Sequence, residues 1–196
     1  MAMPLRLALI YGSTREGRLC DKVAEWAAER ITARPDLALD IIDPARLDLP
    51  ARHEAHPREA VTALRQRIDQ ADAFVVVTPE YNHSFPAALK LVIDLVGAPW
   101  RAKPVGFVSY GGVSGGLRAV EHLRQVFAEL HAVGIRDSVS FAMMRSFLDA
   151  EGRFAPPEAS DRAMTLMLVE LAWWAEALRD ARRLRPYAEA IAQAQA

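Results

Sequence analysis

The chain has one cysteine, Cys20, among 196 residues. A lone thiol cannot close an internal disulfide, and the simple expectation is a reducing, cytoplasmic setting. There is no run of about 18 apolar residues, so the sequence predicts no membrane-spanning helix. Charge of either sign is missing in bulk: 24 basic against 25 acidic residues leave a net charge of −1. That removes the electrostatic case for nucleic acid or a membrane surface as a partner. No signal-peptide pattern precedes the first strand. His53-x-x-His56 lacks the cysteines or carboxylates that would complete a metal site, and reads as a solvated loop. Gly12 stands where a Cys-x5-Arg nucleophile ending at Arg18 would need its cysteine, which excludes that thiol chemistry.

What is present is an apolar fraction of 52%, enough for one domain, residues 1–196, with a sizeable core. Short apolar stretches read as strands at Leu5 to Tyr11, Leu37 to Ile42, Phe74 to Val77, Pro104 to Ser109 and Ser138 to Ala142. Helical spacing of apolar residues predicts helices at about Leu19 to Ala33, Arg58 to Gln70, Phe85 to Val96, Leu117 to Ala132 and Ser160 to Arg183. Ser84 is expected to cap the third helix, with Pro86 in its first turn. Gly134 is expected to end the fourth. Trp173 and Trp174 read as ordinary core. Residues 147–158 read as a loop, and residues 188–196, rich in alanine and glutamine, as a frayed tail.

Strand and helix alternate five times. That implies a three-layer α/β sandwich, a parallel sheet with helices on both faces, and the flavodoxin-like strand order 2-1-3-4-5 is the leading topology. In that order the carboxyl-end loops of strands 1, 3 and 4 converge, which is where such sheets place ligands. The first loop, Gly12-Ser-Thr-Arg-Glu-Gly-Arg18, reads as a phosphate cradle. Ser13 and Thr14 supply hydroxyls, Arg15 and Arg18 supply charge, and a helix N-terminus follows. A capped helix start with two solvated arginines is the plain alternative. The second loop, Pro79-Glu-Tyr-Asn-His-Ser84, is unusually rich in functional groups for a simple connection. The third, Ser109-Tyr-Gly-Gly-Val-Ser-Gly-Gly116, lets backbone approach a flat ligand closely.

Pro79-Glu-Tyr-Asn-His-Ser-Phe-Pro-Ala-Ala-Leu-Lys90 resembles the second loop and helix of the NAD(P)H-dependent FMN reductases, and Gly12-Ser-Thr-Arg15 and the glycine-rich loop resemble their first and third. Leu91 departs from the asparagine usual in that family. The resemblance implies an oxidoreductase moving hydride from NADPH or NADH through FMN to a small acceptor: a quinone, an azo compound, a metal oxyanion or free flavin. Cofactor contacts carry over to Ser13, Thr14, Arg15, Arg18, Pro79, Glu80, Tyr81, Asn82, Ser109, Gly111 and Gly112. No catalytic acid, base or nucleophile is then required, because the flavin carries the chemistry. Members are typically dimers or dimer pairs, and the broad apolar surface of residues 85–96 suggests a helix covered by a partner copy. The competing readings are an FMN-binding electron carrier or redox-sensing module, and a phosphate-binding domain without flavin. The sequence leaves the acceptor, the choice of nicotinamide and the roles of His83 and Cys20 open.

Overall fold

The computed structural model describes residues 3–52 and 54–194. His53, and with it the reading of His53-x-x-His56, lies outside the described residues.

Five parallel strands form one sheet in the order β2-β1-β3-β4-β5. They are β1 (Leu5–Tyr11), β2 (Leu37–Ile42), β3 (Ala73–Pro79), β4 (Pro104–Tyr110) and β5 (Val133–Phe141). Every residue of β3 and β4 is buried, as central strands covered on both faces require. Successive side chains point to opposite faces, and this alternation divides the core in two. Leu5, Leu7, Leu9 and Tyr11 join α1 (Cys20–Thr32) and α5 (Glu158–Leu184) on one face. Ala8 and Ile10 join α2 (Glu59–Gln70), α3 (Ala87–Val96) and α4 (Leu117–Glu129) on the other. Trp100 is the largest fully buried side chain. It packs edge-on against Phe74 at 4.7 Å and Phe127 at 5.4 Å, and its indole donates to the Ile93 carbonyl. Burying such a ring contributes about 1.5–3 kcal/mol.

Several expectations are corrected. β3 runs on through Thr78 and Pro79, whose missing N–H is harmless at a strand end. Ser84 does not cap α3: Pro86 precedes that helix, and no side chain caps it. Gly134 lies inside β5, and α4 instead closes with His131 in the left-handed region at φ 59°. There the Ala132 N–H reaches back to the Phe127 carbonyl, as in a helix ending that normally uses glycine. Residues 147–158 fold back on their own chain, with Phe147 and Phe154 packed edge-on against Phe141. Trp174 packs on the core, but Trp173 is 63% exposed. Tyr187–Ala194 form a helix, α6, where a frayed tail was expected. Its first residue is anchored by a 2.8 Å hydrogen bond between the Tyr187 hydroxyl and His131 Nδ1.

The apolar surplus of α3 also has an internal explanation. Leu89, Val92, Ile93, Leu95 and Val96 are all buried by the chain itself, with α2 and Trp100 alongside. Of its apolar residues only the small Ala87 is exposed; Ala88 and Leu91 are half-buried, as is Phe85 just before it, so this helix does not require a partner to cover it.

Candidate functional site

The carboxyl ends of β1, β3 and β4 bring the three loops together. The first loop is held by close backbone approach. The Gly12 N–H donates to the Val77 carbonyl at 2.7 Å, and a Cβ on Gly12 would stand 2.7 Å from that same oxygen. Ser13 is fully buried, and its hydroxyl lies 2.9 Å from the Tyr81 hydroxyl, joining the first loop to the second. Thr14 and Arg15 are exposed, and the Arg15 guanidinium sits 4.8 Å over the Tyr81 ring. Among the described residues the backbone N–H groups of Thr14, Glu16 and Gly17 have no protein acceptor, and no side chain caps α1. A loop with unspent donors that runs into a helix N-terminus suits an anion.

Arg18 has a different place from the one expected. Its side chain is 8% exposed, and every guanidinium nitrogen faces a protein oxygen. It donates to both carboxylate oxygens of Asp43, at 2.8 and 2.6 Å, to Asp21 at 2.8 Å, and to the Ser13 carbonyl. Asp43 is 7% exposed. Burial alone would raise its pKa, but Arg18, the Ala45 N–H and Arg46 together hold it below the ordinary aspartate value. Arg18 therefore braces the first loop against the end of β2, and has no donor left for a phosphate.

The second loop is a two-residue hairpin. Tyr81 and Ser84 exchange backbone hydrogen bonds at 2.8 and 3.1 Å around Asn82 and His83. Both central residues have positive φ, 48° and 74°. Asparagine and histidine tolerate that region better than most residues. The N–H groups of Glu80 and Tyr81 are spent on Tyr110 and Ser84, so neither remains for a ligand, and any cofactor contact of these two residues must come from their side chains. Those of Asn82, His83 and Gly112 have no protein acceptor among the described residues. The Glu80 carboxylate, 8% exposed, ties this loop to the third: it accepts from the Ser114 hydroxyl at 2.7 Å, the Arg118 N–H and the Arg118 guanidinium. Those bonds outweigh its desolvation and hold its pKa low. The exposed His83 stands beside His122, whose Nδ1 is 2.9 Å from the Ser84 hydroxyl.

In the third loop Ser109 is also a brace. Its buried hydroxyl donates to the Gly115 carbonyl, as does that of Ser140. Gly111 and Gly112 pair with the turn after β5 through Met144 and Met143 N–H groups. Cys20 lies beneath the first loop, fully buried, with Sγ 3.7 Å from the Val77 carbonyl. Burial pushes its thiol up to about 11, against smaller opposing effects of the Tyr110 hydroxyl and the Gly12 and Ser13 N–H groups. It is a core residue, not a reactive thiol.

Between the loops lies a mainly apolar cavity of about 310 Å³. Pro79, Glu80 and Tyr81 form one wall, Tyr110, Gly111 and Gly112 another, with Leu19 and the turn Met143–Ser146 closing it. That last turn was missed by sequence reasoning. The signal available was adjacency: β5 neighbours β4, so its carboxyl end must stand beside the third loop. A larger cavity, about 620 Å³, lies beyond Arg18 and is lined mostly by charged groups, less suited to a flat apolar ring.

The sequence profile of the NADPH-dependent FMN reductase family matches residues 5–145. A 2-hydroxy-1,4-benzoquinone reductase of Burkholderia sp is 30% identical over 179 residues, covering 87% of this chain and 97% of that protein. A quinone reductase of Escherichia coli (strain K12) is 37% identical over 144 residues, 68% of this chain and 74% of that one. A solved flavoenzyme NAD(P)H:(acceptor) oxidoreductase of Paracoccus denitrificans shares the fold at a TM-score of 0.72 and 22% identity, over 88% of this chain and 98% of that one. With a family profile spanning the sheet and all three loops, the chain belongs to the NADPH-dependent FMN reductase family.

Proposed function

We propose that the protein is an FMN-dependent oxidoreductase that moves hydride from NAD(P)H to a small acceptor of the quinone class. The carrying observation is an apolar cavity beside a first loop with unspent N–H donors, the loop running through Leu19 of the cavity wall into α1. These residues fit FMN: the N–H groups of Thr14, Glu16 and Gly17, with Arg15, would hold its phosphate, and Pro79, Tyr81 and Tyr110 would flank its ring. When bound, FMN supplies the hydride-accepting and hydride-donating chemistry. The protein's share is to position and shield. Gly112 in the cavity wall and Asn82, next in chain to Tyr81 of that wall, offer donors for polar edges of a ring, and Glu80 and Ser109 hold the loops that carry them. Steady-state oxidation of NADH and NADPH with a quinone tests this. Flavin binding without nicotinamide oxidation would favour an electron carrier instead.

Arg15→Ala should weaken FMN by about 1.5 kcal/mol, roughly tenfold, while leaving riboflavin unchanged. Fluorescence titration of both ligands measures this, and equal losses would remove Arg15 from the phosphate role.

A cytoplasmic single-domain enzyme that self-associates completes this reading. Among the described residues no helix is long and apolar enough to cross a membrane. Val113, Leu117 and Met143 are 89%, 55% and 58% exposed around the cavity, apolar surface that a second copy would cover. Light scattering should report a homodimer or homotetramer, and Leu117→Glu should shift it toward monomer.

A further inference from the structure

The opposite end of the sheet holds a second polar cavity, of about 340 Å³, between the start of β1 and the last turns of α5. It lies roughly 20 Å from the three loops, the length of a seven-residue strand. Arg6, Arg179, Arg182 and Arg183 line it, with Asp72 as the one carboxylate. Four positive groups against one negative line it, with Asp180 3.9 Å from Arg183 outside the lining, an excess of two to three in a chain whose net charge is −1.

Asp72 does not neutralise its neighbours. It accepts the Arg6 N–H at 3.0 Å and lies 3.4 Å from Arg182 and 3.7 Å from Arg179. Arg182 also donates to the Ala102 carbonyl, and the Arg6 guanidinium donates to Gln70. Arg179 makes no hydrogen bond among the described residues although it is only 15% exposed, and its Nε is buried without a partner. A guanidinium taken from water without an acceptor is costly, and an anion would relieve it. Lys103, with Nζ on the Ile68 and Asp69 carbonyls, stands near Arg182; burial, and then Arg182, lower its pKa to about 8, so it is still mainly charged at neutral pH. Burial lowers the Arg182 pKa, and repulsion from Arg179 and Arg183 lowers it further against the pull of Asp72 and Asp69.

Guanidinium forks match tetrahedral oxyanions, whereas no aromatic ring lines this cavity to stack a base. We propose that this arginine cavity is a binding site for a compact phosphate-class oxyanion, separate from the flavin site. It does not depend on the flavin reading. Pyrophosphate is the probe, titrated calorimetrically into FMN-loaded protein at constant ionic strength. Wild type and Arg15→Ala, the latter at saturating FMN, should both show saturable binding. Arg179→Gln and Arg183→Gln should each weaken it at least tenfold. Arg183 is 64% exposed, so its variant tests the site even if Arg179→Gln fails to fold. No saturable binding in wild type, or binding weakened by Arg15→Ala and indifferent to Arg183→Gln, would overturn the assignment.

Discussion

Arg18→Ala should lower the stability of the flavin-free protein by about 3–5 kcal/mol, the usual cost of stripping one partner from a buried ion pair. Asp43 would be left buried at the end of β2 with only the Ala45 N–H and the exposed Arg46 beside it. The pH dependence follows from the direction of the Asp43 shift. A carboxylate held low in the folded state contributes stability that is complete above its unfolded pKa, about 3.9, and is lost as pH falls through the lower folded value. In the variant, burial without Arg18 pushes the Asp43 pKa up, so its protonation relieves the buried charge as pH falls; the gap should be full at neutrality, begin to narrow above the unfolded value and close further below about pH 4. Urea unfolding across that range measures it. A loss under about 1 kcal/mol would mean that Arg18 is not the brace described. FMN and riboflavin should weaken together in this variant, in contrast to Arg15→Ala, because the damage is to the loop.

Gly116→Ala should cost about 2–5 kcal/mol, from backbone strain and from overpacking. Gly116 sits at φ 88°, and a Cβ there would stand 2.7 Å from the Ser109 Cβ, 2.8 Å from the Tyr110 nitrogen and 3.0 Å from its oxygen. These are atoms of a buried central strand and cannot step aside, so the third loop must move. Gly112→Ala is the control. Nothing lies within 4 Å of its Cβ position, so the flavin-free stability should stay within about 0.5 kcal/mol of wild type. Thermal unfolding of the two variants separates conformational need from mere glycine content; equal melting temperatures would refute the argument.

The strands were legible because buried parallel strands are written as continuous apolar runs, and β2 was bounded correctly at Leu37 and Ile42. The convergence of the three loops followed from strand order alone. What escaped were pairings between residues distant in sequence. Arg18 read as a phosphate ligand because its partner Asp43 lies 25 residues on, at the end of another strand. The tie from Glu80 to Arg118, 38 residues away, is likewise invisible to local spacing. Ser84 obeyed the local capping rule but was claimed by the Tyr81 hairpin, and Gly134 by an edge strand while His131 took the left-handed turn. For Arg18 and Gly134 a tertiary contact overrode a sound local preference; for Ser84 a competing local turn did.

The burial of Cys20 gives the protein a built-in clock. With its thiol pushed up to about 11 and its sulfur out of solvent, almost none of it is thiolate at neutral pH. A disulfide reagent can reach it only while the first loop or the start of α1 is transiently open. Because it is the sole cysteine, each labelling event has one address. Under fast reclosing the labelling rate reports the open population of that segment alone. A ligand seated at the start of α1 must then slow labelling by the same factor with which it suppresses opening, so its occupancy can be counted from sulfur chemistry without watching its colour.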